Sequence, residues 1–125
     1  MWTPPPAVYT ELQQRLTHRD ALVTLRTQVR NQLHALGQQP VVVASVRLHL
    51  EHLIVQLSTQ ISEVEQEIAA ALQQDSAWAT AARRLQSVTG IGLLTAATIL
   101  TATVKFTLCP TAEAATAYAG LAPNL

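Results

Sequence analysis

Aromatic side chains make up only 4% of the 125 residues, and glycine contributes just four. This scarcity argues against a turn-rich all-β protein, which draws on β-branched and aromatic alternation in its strands and on glycine at its turns. A single cysteine, Cys109, excludes an internal disulfide framework and fits a reducing compartment. No stretch of about 18 apolar residues suggests a membrane span, and the opening Met-Trp-Thr-Pro-Pro-Pro lacks the basic start and apolar core of a signal peptide. A soluble, cytoplasmic protein with no membrane partner is therefore expected. Net charge is also missing: 8 basic residues balance 8 acidic ones, so bulk electrostatics make no case for a polyanionic partner. Any such case must rest on where the charges sit.

What is present is aliphatic. Hydrophobic residues reach 49%, mostly Ala, Leu, Val and Ile, a mixture that favours helices packed through aliphatic seams. The fold class expected is all-α. Pro4, Pro5 and Pro6 form a stiff extended lead. From about Ala7 to Leu36, Leu12, Leu16, Leu22, Leu25, Val29, Leu33 and Leu36 recur mostly at spacings of three or four, the mark of a helix. Gly37 is a good helix stop and Pro40 suits the first turn of the next helix, so a short connection and an antiparallel hairpin are expected.

The second helix, over roughly Val42 to Gln74, carries the most regular pattern. Leu50, Ile54, Leu57, Ile61, Val64, Ile68 and Ala71 alternate gaps of four and three. This repeat predicts a coiled coil, and isoleucine at one core position with leucine at the other favours two strands. Leu50, Ile54, Leu57, Ile61, Val64 and Ile68 are the candidate oligomerisation residues, with helix one and a second copy of the chain both open as partners. Asp75-Ser76 supplies an N-cap for an Ala-rich helix from about Ala77 to Val88, and Thr89-Gly90-Ile91-Gly92 breaks it. A further apolar helix is expected from Leu93 to Ala102, with Thr103–Leu108 as helix end or loop. A short helix follows from Ala112 to Ala119. The domains expected are 1–75, the hairpin or coiled coil, and 76–125, a partial helical domain.

Two constellations bear on function. Arg15, Arg19, Arg26 and Arg30 lie at offsets of four, eleven and fifteen. At 100° per residue they fall within an arc of about 60° that also holds Leu22 and Leu33. They therefore flank the packing face, where their stems can cover the seam and their heads pair with Glu63, Glu65 or Glu67. The alternative is contact with nucleic-acid phosphates. The second constellation is the turn at Gly90, Ile91 and Gly92. Glycines there permit a tight bend and close approach of another backbone. The free N–H groups of the following helix, through Thr95, would point outward, where phosphate oxygens accept them. This is the arrangement of a helix-hairpin-helix, with Arg83, Arg84 and Lys105 flanking a phosphate path. The alternative is a tight turn between core helices. His49 and His52, three apart, and His18 and His34 on the other helix come with no further ligand pattern, so no metal site is expected. Cys109 reads as an inert thiol, and no nucleophile–base arrangement is visible. The chain is not expected to be catalytic on its own.

The stretch "RLQSVTGIGLLTAATILTATV", followed beyond Phe106 by "AYAGLAP", resembles the C-terminal domain of the "one-ten" (one-sixteen/nine-oh-two) insertion-sequence family of transposases. These are the DEDD, bridge-RNA-guided recombinases. The proline-rich lead, Arg15, Arg19 and "LRTQVRNQLHAL" are similar to the region linking that family's catalytic domain to its coiled coil. The resemblance implies DNA transposition and recombination, with DNA or guide RNA as partner and a homo-oligomer built on the coiled coil. It implies magnesium bound by acidic residues in the full-length family and no cofactor in this portion. It also implies a truncated fragment: the four acidic residues precede the region matched, a serine nucleophile lies beyond "AGLAP", and no catalytic residue maps onto this chain. Such a fragment would expose apolar surface around Tyr118, Leu121 and Leu125. The competing expectation is a plain coiled-coil interaction protein without nucleic-acid binding.

Overall fold

The computed structural model describes residues 7–108, with Thr89 and 105–108 described by their backbone alone. The proline lead, Cys109, the helix expected at Ala112–Ala119, the "AYAGLAP" motif and the patch around Tyr118, Leu121 and Leu125 lie outside the described residues.

The all-α expectation holds. Among the described residues there are four helices and no strand: α1 (Ala7–Gly37), α2 (Ala44–Gln73), α3 (Ser76–Thr89) and α4 (Leu93–Leu108). Their ends follow local chemistry. At the end of α1, Gln38 N–H donates to Ala35 O at 3.1 Å and Gln39 N–H to Leu36 O at 3.0 Å, satisfying carbonyls that the helix leaves open. Pro40 does not sit in the first turn of α2. That helix starts only at Ala44, and Arg47 N–H donates to Val43 O at 3.2 Å. Val41, Val42 and Val43 are consecutive β-branched residues whose side-chain rotation is restricted in a helix, which favours leaving them in the connection.

Asp75 caps α3: its backbone is extended and its Oδ1 accepts from Trp78 N–H at 3.1 Å. At the other end α4 runs on through 103–108, which is therefore helix end and not loop. Thr98, Thr101 and Thr103 each donate a hydroxyl hydrogen bond to the carbonyl four residues back, at 2.8, 2.7 and 2.9 Å. These bonds satisfy hydroxyls that would otherwise compete with the helical backbone.

The described residues divide into two compact units, one of residues 7–17 with 67–108 and the other of residues 18–66. In the 18–66 unit, Arg19 meets Glu65 and Arg26 meets Ser58, so pairing advances along α1 as it retreats along α2. This is the antiparallel hairpin, and its buried apolar residues are Leu22, Val29, Leu57, Ile61 and Val64. In the other unit Val8, Tyr9 and Leu12 of α1, Ile68, Ala71 and Leu72 of α2, Ala79 and Ala82 of α3, and Ala96 and Ala97 of α4 are buried. Alanine on α3 and α4 presents little side-chain bulk, and the distance between packed helices depends on that bulk.

Candidate nucleic-acid interface

The turn between α3 and α4 is built by two glycines with different duties. Gly90 takes a left-handed conformation, φ 70° and ψ 16°, and its N–H donates to Gln86 O at 3.0 Å, closing α3. A side chain there would be strained whatever room it had. Gly92 needs no such freedom: its φ is not positive, and a Cβ built on it would meet nothing within 4 Å. The same space is open at Gly90, so among the described residues no other backbone makes the close approach that the glycines permit.

Gly92 marks the start of α4, since Ala96 N–H donates to its carbonyl at 3.0 Å. It has no side-chain oxygen to accept the N–H groups of the first turn, Leu93, Leu94 and Thr95. These donors sit at the positive end of the helix dipole. Gly92 and Thr95 are exposed and Ile91 is half-buried. Arg83 and Arg84, both exposed, lie six to seven residues before Gly90, about 10 Å along the α3 axis. Arg83 Nε donates to Ala79 O at 3.4 Å. Arg84 stands beside an open groove between α3 and α4 whose apolar lining includes Ala77, Ala81, Leu85, Ile99 and Leu100. Lys105 lies on α4, with its side chain outside the described set.

Residues 82–125 match the Transposase IS116/IS110/IS902 family. No curated relative and no solved structure matches the chain. The matched span opens at Ala82 and takes in Arg83, Arg84, the Gly90–Gly92 turn and α4; it leaves out α1 and α2. The match supports a transposition-related role, and with it nucleic-acid interaction in general.

The arginine stripe of α1 is divided by its partners. Arg15 Nε meets Glu67 Oε1 at 3.2 Å, and Arg19 Nε meets Glu65 Oε2 at 3.1 Å, with Asp20 a further 3.5 Å neighbour of Arg19. Both pairs are partly exposed and contribute less than about 1 kcal/mol each. Arg26 has no carboxylate: its Nη1 donates to Ser58 Oγ at 3.3 Å, while its buried Nε has no hydrogen-bond partner. Arg30 is exposed, and no ion pair engages it among the described residues.

The α2 seam is largely covered within the one chain. Leu57, Ile61, Val64 and Ile68 are buried, whereas Leu50 and Ile54, nearer the hairpin turn, are only half-buried. Val46 and Leu53 beside them are exposed by 43% and 40%, and Leu25 on α1 by 47%. Sequence periodicity alone gave no sign of this gradient, because the repeat is equally regular at both ends. No group of three or more His, Cys, Asp or Glu able to hold a metal is found among the described residues, and no helix there is long and apolar enough to cross a membrane.

Proposed function

We propose that this chain serves DNA transposition as a non-catalytic element that grips a nucleic-acid backbone and associates with itself. The grip is assigned to the Gly90–Gly92 turn. The observation that carries it is the coincidence of the transposase-family match with an exposed, side-chain-free start of α4. There the N–H groups of Leu93, Leu94 and Thr95 would donate to phosphate oxygens, with Arg83, Arg84 and Lys105 supplying charge along the path. DNA and guide RNA share this phosphate chemistry, and binding through it reads no base sequence.

Self-association is assigned to the half-covered end of the seam, Leu50 and Ile54, with exposed Val46 and Leu53 beside them on α2. The same exposed residues favour the second reading, an interaction module that binds no nucleic acid. Salt dependence separates the two, because each phosphate contact releases counterions and an apolar interface has none to release.

Gly92→Asp tests the grip without relying on damage to the fold. Aspartate is a good N-cap, and its carboxylate suits the helix dipole, so the variant should fold with equal or slightly higher stability. It also sets a negative charge where a phosphate would dock. Weaker binding of a short DNA duplex or an RNA hairpin by a well-folded Gly92→Asp, with Gly92→Asn less affected, supports the reading. Unchanged affinity in Gly92→Asp would show that the turn is structural only.

A further inference from the structure

Between Asp20 and Glu51 the chain carries no carboxylate: thirty consecutive residues, Ala21 to Leu50, contain Arg26, Arg30, Arg47, His34 and His49 but no Asp or Glu. The structure turns this linear fact into a surface. The connection after Gly37 reverses the chain, and antiparallel pairing in the 18–66 unit folds both flanks of the acid-free segment onto the same end of the hairpin. On α1, Arg26, Arg30 and His34 follow one another at four-residue steps, each turning about 40° and rising about 6 Å, so they form one stripe about 12 Å long. Across from it, α2 contributes exposed Arg47, eleven residues before Ser58 and so on the same helical face as that hydroxyl. Only one carboxylate stands here, Glu51, and it is already engaged by Arg47 at 3.2 Å.

Arg26 shows that the positive charge is left unmatched inside the hairpin. Arg19 finds Glu65, but Arg26, two turns on, finds only the neutral hydroxyl of Ser58 and leaves a buried Nε without an acceptor. A guanidinium held against a helix without a counter-charge retains its attraction for an external anion.

We infer that the end of the α1–α2 hairpin is a second polyanion-binding surface, in which Arg26 and Arg30 contact the phosphates of a nucleic-acid strand and His34 and Arg47 border the path. The inference rests on the nucleic-acid reading above but places a contact outside the family-matched span. The cations at this end are arginines, whose planar forks match phosphate oxygens, and the segment holds no lysine. It also holds no aromatic residue, which an interfacial membrane helix would use to anchor its apolar face. A phosphate backbone is therefore the polyanion that this surface fits best.

The test uses the full chain and the double variant Arg26→Gln/Arg30→Gln, with Arg15→Gln/Arg19→Gln and Gly92→Asp measured beside it. Glutamine at 26 keeps an N–H within the chemistry Ser58 accepts, and helical circular dichroism checks that each variant is folded. Binding of a fluorescent 30-nucleotide DNA duplex and of a single strand is titrated from 50 to 300 mM NaCl. Each lost phosphate contact should make the salt slope shallower by roughly 0.7–0.9 and cost about tenfold in affinity near 0.1 M salt. Arg26→Gln/Arg30→Gln should therefore flatten the slope by between one and two, while Arg15→Gln/Arg19→Gln leaves it nearly unchanged. An unaltered slope in Arg26→Gln/Arg30→Gln overturns the inference; if Gly92→Asp still weakens binding in that case, the turn reading survives alone. Loss in Arg26→Gln/Arg30→Gln with none in Gly92→Asp supports the hairpin surface and removes the turn. Equal losses in both arginine pairs, or binding to phosphatidylserine vesicles with none to either oligonucleotide, also overturn the inference.

Discussion

Replacing Ile68 and Ile54 separately with alanine asks how much of the α2 seam the chain completes by itself. The two residues hold the same heptad position, yet Ile68 is fully buried at 0% exposure and Ile54 only half-buried. Ile→Ala removes three carbons, worth about 2.4 kcal/mol at roughly 0.8 kcal/mol per buried CH₂. The cavity left where neighbours cannot collapse adds to this, so Ile68→Ala should cost about 3–4 kcal/mol, within the usual range for such truncations. That is a large share of the roughly 5–15 kcal/mol that holds a domain folded. Ile54→Ala gives up a smaller transfer term and little cavity within the single chain, about 1 kcal/mol. If a second copy covers Ile54, the rest of its contribution appears only when copies associate. Urea unfolding followed at 222 nm, at protein concentrations a hundredfold apart, distinguishes these terms. The loss in Ile68→Ala should be the same at both concentrations, and the loss in Ile54→Ala should grow at the higher one. A small, concentration-dependent loss in Ile68→Ala would refute the reasoning, because the seam would then be formed between chains throughout.

The turn and the α3 cap give two further outcomes. Gly90→Ala should destabilise by about 1–2 kcal/mol because a Cβ is forced into the left-handed region, and Gly92→Ala should cost less, about 0.5 kcal/mol, since its φ is ordinary and open space surrounds it, leaving only the N-cap preference for glycine over alanine. Thermal melts of the pair check this; equal losses would mean that the positive φ at Gly90 carries no strain. Asp75→Ala removes the acceptor of Trp78 N–H and should cost about 0.5–2 kcal/mol, read in the same melts, with Asp75→Asn recovering most of it.

Much of the fold was legible because it is dictated by local rules. The three- and four-residue spacing of aliphatic side chains fixed α1 and α2, Asp75 announced the start of α3, and Gly90 its end. The error fell where local cues competed. Pro40 pointed to an early start for α2, but the three valines after it resist helix more strongly than one proline at a first turn promotes it. Residues 103–108, open in the sequence between helix end and loop, prove to be helix end, because local β-branching does not by itself decide between the two. Burial along the seam was not legible at all, since a heptad repeat states which face is apolar and not what covers it.

The arginine stripe shows the same limit in charge. Its four members are equivalent when α1 is considered alone, because helical periodicity places them all on one arc. They cease to be equivalent once α2 is laid alongside, because the carboxylates of α2 are unevenly spread: Glu63, Glu65 and Glu67 cluster in its later half, and between Glu51 and Glu63 there is none. Antiparallel pairing therefore hands acids to Arg15 and Arg19, a hydroxyl to Arg26 and, among the described residues, no ion-pair partner to Arg30. The absence of acid from Ala21 to Leu50 was visible in the sequence from the start, but along an unfolded line it spans thirty residues and concentrates nothing. It becomes a charged surface only because the chain reverses in its middle. A neutral protein can hold a cationic end without a cationic composition, so the place of the charges, set by the hairpin, decides where this chain presents unmatched positive charge.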